Sequence, residues 1–248
     1  RGGRWESLHI LQGIAEYFLI TGENRYKKAF LHHWYSINRT DVHNTGAFST
    51  NERAIGHPYG EGAIETCCTV AWINMTIDAL RLTGDPEIAD ALELSLFNAM
   101  LGSQHPSGEW WTYMTPMDGR RPPSYVSINF QSRATMPELN CCSVNGPRSL
   151  GCLGSWALMQ DGKNLVVNYY GPMQASLNLS SGKKITLIQE TDYPMDGTIH
   201  IRLLNADNSK IPMKLRIPEW SETAVILVNG KTVDKVRGGR YFTLNREW

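Results

Sequence analysis

Residues 67–101 read CCTVAWINMTIDALRLTGDPEIADALELSLFNAML and form the most informative stretch of the chain. Apolar residues recur at helical spacing over 67–82 and again over 86–101. Thr83-Gly84 separates the two runs, and a glycine directly after a helical pattern is a common C-cap. The stretch therefore predicts two helices joined by a tight turn.

A similar pattern occurs earlier in the chain. Helical spacing over 5–20 and 25–37 surrounds Thr21-Gly22, which lies 62 residues before Thr83-Gly84. Two helical hairpins of this kind form a weak internal repeat, as in an α/α toroid or solenoid. A further helix is predicted over 146–158, opening near Pro147.

The hydrophobic period changes to two after about residue 160. Short β-rich segments separated by turn residues predict strands at 165–170, 175–179, 184–189, 198–204, 213–217, 224–228 and 241–244. Asn229-Gly230 predicts a two-residue hairpin turn, because this dipeptide tolerates the positive φ angles of a type I′ turn. The sequence thus predicts an α+β multidomain chain, with helices over 1–160 and an antiparallel β-sandwich over 161–248.

Composition narrows the function classes. The chain has 248 residues, with 42% hydrophobic and 19% charged residues, as expected of globular domains. Lys plus Arg equals Asp plus Glu at 24 each, so the charge balance indicates neither nucleic acid nor an anionic membrane as partner. The sequence contains no apolar run of about 18 residues that could span a bilayer. Because it starts without Met and stops within a strand pattern, we expect a fragment of a longer protein.

Cysteines carry the clearest chemical signal. Their odd number and two vicinal pairs argue against a disulfide framework: Cys67, Cys68, Cys141, Cys142 and Cys152. Three thiolates and a carboxylate, from Glu65-Thr66-Cys67 and Cys141-Cys142, would form a plausible tetrahedral zinc set. The alternative is that these cysteines are small buried hydrophobic residues.

The aromatic residues are consistent with two roles, sugar binding or core packing. Eight Trp and ten Tyr are present, and several stand among polar residues, as in Glu109-Trp110-Trp111-Thr112-Tyr113. Aromatic faces beside hydrogen-bonding groups suit sugar rings, but the same residues could form the core of a hairpin.

Several motifs in a fixed order resemble glycoside hydrolase family 127, which is typified by bacterial β-L-arabinofuranosidases and was long known as DUF1680. They run from about residue 45 to the end of the chain: Glu65-Thr-Cys67, Thr83-Gly-Asp-Pro86, Leu96-Phe-Asn-Ala-Met-Leu101, Cys141-Cys142, Asn145-Gly-Pro-Arg148, Gln189-Glu-Thr-Asp-Tyr-Pro194, Leu215-Arg-Ile-Pro-Glu-Trp-Ser221, Val228-Asn-Gly230 and Arg246-Glu-Trp248. The resemblance implies later helices of an (α/α)6 barrel over 1–160, followed by a β-sandwich domain over 161–248.

The resemblance also implies a site. Glu65, Cys67, Cys141 and Cys142 match the zinc ligands of the family, and Cys141 matches its nucleophile. Zinc keeps a bound thiol deprotonated at neutral pH, so a thiolate could attack an anomeric carbon and give a retaining hydrolysis.

A general acid/base is required as partner of the nucleophile. The family places it in a Gly-Glu-Ala-Phe type of segment, whose counterpart here is Asn51-Glu52-Arg53-Ala54-Ile55, so Glu52 is expected in this role. The glycine of the pattern is Asn51 here, and Glu61 is the rival. Residues predicted to contact substrate are His43, His57, Trp110 and Tyr113.

The leading functional hypothesis is a retaining exo-β-L-arabinofuranosidase-like enzyme acting on plant-type arabinose-containing glycans. Two alternatives stay open: a glycosidase for another sugar, and a non-catalytic carbohydrate-binding protein with a structural zinc. Reduced thiols favour a cytoplasmic location, while polysaccharide use would allow a periplasmic or secreted one, so the compartment is undecided.

Overall fold

The computed structural model describes residues 5–60, 62–109, 111–116, 132–133, 136–137, 141–179, 182–206 and 208–248. Within these ranges the helices are α1 (Trp5–Thr21), α2 (Asn24–Thr40), α3 (Thr66–Thr83), α4 (Pro86–Leu94), a π-helical segment (Ser95–Met100), α5 (Leu101–Ser103), α6 (Cys141–Gly151) and a 3-10 turn (Cys152–Ser155). The strands are β1 (Ala63–Glu65), β2 (Met114–Pro116), β3 (Ser132–Arg133), β4 (Met136–Pro137), β5 (Leu158–Asp161), β6 (Asn164–Val167), β7 (Met173–Asn178), β8 (Lys184–Thr191), β9 (Ile199–Leu204), β10 (Met213–Ile217), β11 (Thr223–Val228), β12 (Lys231–Arg237) and β13 (Arg240–Leu244). Two compact units result, Arg1–Leu153 and Gly154–Trp248.

Both predicted helical hairpins are present in the first unit. Gly22 and Gly84 have φ angles of 70° and 62°, in the left-handed region where a glycine costs little. Their backbone N–H groups donate to the carbonyl oxygens of Phe18 and Leu80, at 2.8 Å each. Asp85 then caps α4 by accepting a hydrogen bond from the backbone of Glu87 at 3.0 Å. The glycine C-caps therefore end the first helix of each hairpin, as the sequence predicts.

Helix α3 lies at the centre of the first unit. Its first fifteen residues, Thr66 to Leu80, are all buried, and it packs against α1, α2, α4 and α6. The Trp34 and Trp72 rings stack at 5.5 Å between centroids, and the Trp34 indole donates to the Thr76 hydroxyl at 3.1 Å. Because its neighbours hold α3 on several sides, the first turn of this helix is a rigid support for Cys67.

The start of α6 differs from the prediction. The helix begins at Cys141 and contains Pro147, instead of opening near Pro147. The predicted end at 158 is also wrong, because the helix ends at Gly151 and strand β5 begins at Leu158. A Cβ atom built on Gly146 would lie 2.4 Å from the Trp111 ring, so this glycine lets the helix backbone approach the indole closely. A rule that places proline in the first turn of a helix therefore misplaced the start of α6, in which Pro147 is the seventh residue.

The second unit is built from strands. Its sheets have the orders β13-β10-β6-β5, β7-β8-β9 and β11-β12. All seven predicted strands are present, while β5 and β12 were not predicted. One pairing departs from the antiparallel expectation, because β6 runs parallel to β10. The chain between them passes through β7, β8 and β9, which supplies the long crossover that a parallel pair needs.

Two local features of this unit follow from its sequence. Asn229 and Gly230 both have positive φ angles, 51° and 77°, and join β11 to β12 as the predicted hairpin turn. Arg216 on β10 is fully buried, and its Nε donates to the backbone oxygen of Asn168 at 2.7 Å. A buried guanidinium is tolerated because such polar partners replace water.

Among the residues that the structure describes, no helix combines the length and apolarity needed to cross a membrane.

Candidate functional site

The junction of β1 and α3 positions two of the predicted ligands. Glu65 is the last residue of β1 and precedes the first helical residue of α3, and Cys67 lies in the first turn of that helix. Strand β2 pairs with β1 in antiparallel fashion, so that Glu65 lies opposite Met114. The backbone N–H of Thr66 donates to the Tyr113 carbonyl at 3.0 Å, which ties the junction to the segment carrying Tyr113.

Helix α6 brings the other two ligands to the same place. The ligand atoms of Glu65, Cys67, Cys141 and Cys142 all lie within 4.8 Å of one another. The Sγ atoms of Cys67 and Cys142 are 3.3 Å apart, and the Cys142 Sγ is 3.9 Å from Glu65 Oε1. The structure thus assembles four residues from segments separated by more than seventy positions in the sequence.

This donor set fits a zinc ion. Three sulfur atoms and one carboxylate oxygen make a four-coordinate site of the kind that zinc accepts. Two thiolates on one tetrahedral zinc lie about 3.8 Å apart, given a bond length of about 2.3 Å. The 3.3 Å separation of Cys67 and Cys142 needs to widen by only about half an ångström. The site can therefore hold a metal with small shifts of side chains.

Burial distinguishes one thiol from the others. Glu65, Cys67 and Cys142 are between 0% and 2% exposed, whereas Cys141 is exposed. Hydrogen bonds from Cys142 and Cys67 lower the pKa of the Cys141 thiol, and its place at the N-terminus of α6 acts in the same direction. Burial raises the pKa of Cys142. Cys141 therefore carries the one exposed sulfur of the four-residue cluster.

Two residues that the sequence reasoning did not assign contact the cluster. The Cys68 thiol donates to Glu65 Oε2 at 2.8 Å, and the Asn145 amide donates to the Cys67 sulfur at 3.2 Å. Sequence spacing offered no signal for either contact. Glu65 ends β1 and Cys68 lies in α3, while Asn145 of α6 reaches a sulfur on a different helix.

The loop before β1 carries Glu52 toward this cluster. Two hydroxyl groups anchor the loop, as Thr69 of α3 donates to the Phe48 carbonyl at 3.1 Å and Ser95 donates to the Gly46 carbonyl at 2.7 Å. Beyond the anchors, Thr50 and Arg53 form an isolated bridge around a tight turn with Asn51 and Glu52 at its centre.

Glu52 has an unusual backbone conformation. Its φ angle is 63°, and that of Asn51 is 46°. The left-handed region costs a side chain with a Cβ atom about 1–2 kcal/mol, except that Asn tolerates it better. Strain of this kind persists where the surroundings hold it, which occurs often at functional sites.

Tyr113 connects Glu52 with the thiol cluster. Its hydroxyl donates to Glu52 Oε1 at 3.3 Å and also interacts with the Cys141 thiol. Burial, together with the charges of Glu65 and Cys141, raises the pKa of Tyr113, so the phenol keeps its proton. The same hydroxyl therefore lies next to both groups that the sequence assigned to catalysis.

The other predicted residues lie in different surroundings. His43 is 2% exposed, its Nε2 lies 3.0 Å from the Thr50 hydroxyl, and burial lowers its pKa. His57 is exposed, and its Nδ1 accepts a hydrogen bond from the backbone of Tyr59 at 3.1 Å. These contacts place neither ring against the four-residue cluster. Trp110 and Glu61 lie outside the described residues.

Comparison with known families identifies the chain's relatives. The model of the β-L-arabinofuranosidase GH127 catalytic domain matches residues 5–154, and that of the GH127 middle domain matches residues 164–248. The chain belongs to glycoside hydrolase family 127. The catalytic-domain match contains both cysteine segments and the Glu52 turn. The resemblance in the sequence motifs is thereby confirmed at the level of the family.

Solved structures of glycoside hydrolases share this fold. A GH127 β-L-arabinofuranosidase from Geobacillus stearothermophilus T6 superposes with a TM-score of 0.83 at 24% identity, covering 100% of this chain and 40% of that one. A protein described as a glycoside hydrolase superposes with a TM-score of 0.80 at 22% identity, covering 100% of this chain and 45% of that one. A GH127 β-arabinofuranosidase superposes with a TM-score of 0.79 at 25% identity, covering 98% of this chain and 40% of that one. The chain thus spans about two-fifths of the length of these structures.

A search of curated proteins finds no significant match.

Proposed function

We propose that the protein containing this chain is a retaining glycoside hydrolase in which Cys141 is the nucleophile and Glu52 the general acid/base. Glu65, Cys67, Cys141 and Cys142 would hold a zinc ion. The helices within 1–160 would contribute to an (α/α)6 barrel, and the strands within 161–248 would form a β-sandwich.

The observation that carries the proposal is the arrangement around Cys141. This sulfur is the exposed member of the cluster, and Tyr113 links it to the Glu52 carboxylate. A purely structural zinc site needs no accessible thiolate beside a carboxylate and a phenol. A nucleophilic site needs access for a substrate and an acid/base within reach, which the exposed sulfur and the nearby Glu52 carboxylate would supply.

When bound, zinc would keep the thiols of this cluster deprotonated and hold them in place. In the first step, the Cys141 sulfur attacks the anomeric carbon and forms a C–S bond while the glycosidic C–O bond breaks. Glu52 donates its proton to the departing oxygen. In the second step, Glu52 takes a proton from a water molecule whose oxygen attacks the anomeric carbon, and the C–S bond breaks to regenerate the thiolate. Two displacements at one carbon give net retention.

The substrate is proposed to be a carbohydrate with a terminal β-L-arabinofuranose, as in plant-type glycans. This rests on the family and on the activity named for two of the similar structures. Tyr113 lies where it could donate to the sugar, and His43, His57 and Trp110 remain predicted contacts. A glycosidase for another sugar would use the same two displacements, because both take place at the anomeric carbon.

Substitution of single cysteines tests the proposal against a structural zinc site. In the full-length protein, Cys141→Ser should reduce kcat on a nitrophenyl β-L-arabinofuranoside by at least about 10³-fold. Zinc analysis and thermal unfolding accompany the kinetics, with Cys152→Ser as a control, since Cys152 instead contacts Asn74 in α3. Full hydrolytic activity of Cys141→Ser would refute the mechanism. The absence of hydrolysis from the intact protein on a panel of glycosides, together with sugar binding, would favour a carbohydrate-binding role.

A further inference from the structure

The turn that carries Glu52 is joined directly to the strand that carries Glu65. The Asn51 backbone N–H donates to the Ala63 carbonyl at 2.7 Å, and the Ala63 N–H donates to Asn51 Oδ1 at 3.0 Å. Asn51 therefore satisfies both backbone groups of Ala63, one with its own backbone and one with its side chain. Ala63 precedes Glu65 by two residues in β1.

A close approach by a glycine supports the same arrangement. Gly62 has a φ angle of 141°, and a Cβ atom built there would lie 2.5 Å from Asn51 Nδ2. The amide of Asn51 thus occupies the space that a side chain at position 62 would need. The carboxamide is held from two sides, by a hydrogen bond and by contact.

We infer that Asn51 is a positioning residue, which fixes Glu52 relative to Cys141 by clamping the turn to β1. Asn is suited to this place because it tolerates the positive φ angle and also provides an acceptor. A glycine would allow the same backbone but would lack the carboxamide. This inference rests on the proposed roles of Glu52 and Cys141.

Proton transfer to the leaving group depends on where the Glu52 carboxyl group lies. A general acid must lie within hydrogen-bonding distance of the departing oxygen, and a displacement of about 1 Å can cost about 10²-fold in rate. Glu52 has a strained backbone, so loss of the clamp allows the turn to relax and the carboxyl group to move. A substrate with a poor leaving group depends on this proton, whereas a nitrophenolate departs with little help.

The test compares Asn51→Gly with Asn51→Asp in the full-length protein. We expect Asn51→Gly to lower kcat/KM about 10- to 100-fold for an alkyl β-L-arabinofuranoside and much less for the nitrophenyl glycoside. Asn51→Asp keeps an acceptor for the Ala63 N–H and should recover most of the loss.

Controls separate positioning from general damage. Asn208 has a φ angle of 59° in the second unit, so Asn208→Gly is the same substitution at another left-handed asparagine. It should leave the ratio of the two kcat/KM values unchanged. Zinc content and the unfolding midpoint are measured for every variant.

Two results would overturn the inference: an equal loss on both substrates in Asn51→Gly, or no loss on either. A separate variant, Glu52→Gln, tests the function on which the inference rests. If Glu52→Gln shows no dependence on the leaving group, the acid/base assignment fails and the role of Asn51 fails with it. If Glu52→Gln shows the dependence and Asn51→Gly does not, the positioning role alone is wrong.

Discussion

At the scale of single residues, Cys68 holds the carboxylate of Glu65, one of the four proposed zinc ligands. Its thiol is fully buried and donates to Glu65 Oε2, while Glu65 Oε1 is the oxygen near Cys142. Burial and the charge of Glu65 raise the pKa of Cys68, so it keeps the proton that it donates. The Cys68 thiol thus holds one oxygen of the carboxylate, and we predict that the other oxygen binds the metal.

Removal of this hydrogen bond should weaken zinc binding. Cys68→Ala is expected to lower zinc affinity about 10- to 100-fold, the usual effect when a partner of a metal ligand is lost. Competition with a chromogenic chelator measures the affinity. Cys68→Ser retains a hydrogen-bond donor, so its zinc affinity should be closer to that of the wild type. Unchanged affinity in Cys68→Ala would show that Glu65 does not depend on this contact.

The buried His43 should make stability depend on pH. Burial lowers its pKa in the folded protein, with Asp41 opposing the shift, whereas the unfolded chain has a value of about 6.5. Below about pH 6.5 the unfolded state binds a proton here that the folded state resists, so stability falls as the pH decreases.

Urea unfolding between pH 7.5 and 5.5 measures this contribution, with His43→Gln as the comparison. The wild type should lose more stability over this range than the variant. Parallel pH profiles for the two proteins would contradict the assignment to His43.

The residue types and motifs of the sequence predicted which four residues lie together in the candidate site. Glu65, Cys67, Cys141 and Cys142 lie together as expected, and their roles as ligands remain predictions. The partners Cys68 and Asn145 were not assigned, because a hydrogen bond to a ligand depends on side-chain direction, which sequence spacing does not specify.

At the scale of elements, the position of α6 determines where Cys141 lies. Gly146 allows this helix to approach Trp111, whereas Gly151 in the same helix has open space around its Cβ position. The two glycines therefore offer a matched pair of substitutions.

Gly146→Ala should destabilise the protein by about 1–3 kcal/mol, because the added methyl group forces the helix away from the indole. Gly151→Ala should be neutral or slightly stabilising, since alanine favours a helix. Chemical unfolding measures both variants, and zinc content reports whether α6 still carries its two ligands. Equal stability of the two variants would mean that the contact with Trp111 does not position the helix.

Local pattern predicted most elements but not every boundary. Gly22 and Gly84 ended helices as expected because a C-cap is a local feature. The beginning of α6 and the parallel pairing of β6 with β10 depend on packing and chain crossover. Such long-range constraints leave no short-range signature.

At the scale of the whole molecule, all four proposed ligands belong to the unit Arg1–Leu153. Zinc bound to the folded state would stabilise it by mass action, by about 2.7 kcal/mol at a free concentration one hundred times its dissociation constant. The unit Gly154–Trp248 should gain nothing directly from the metal.

Hydrogen exchange with and without a strong chelator tests this expectation. Removal of zinc should raise exchange in α3 and α6, whose first turns carry three of the ligands, and should leave β8 and β10 unchanged. Uniform loss of protection in both units would show that the metal stabilises the molecule in another way.

The most direct test of the central claim is to trap the covalent intermediate. In full-length Glu52→Gln protein, a nitrophenyl β-L-arabinofuranoside should still glycosylate the enzyme, because its leaving group needs little acid catalysis, while water is no longer activated for release. Mass spectrometry of peptides should then find one anhydropentose on Cys141. An adduct on a residue other than Cys141 would contradict the account. So would hydrolysis that inverts the anomeric configuration with no adduct detected on Cys141.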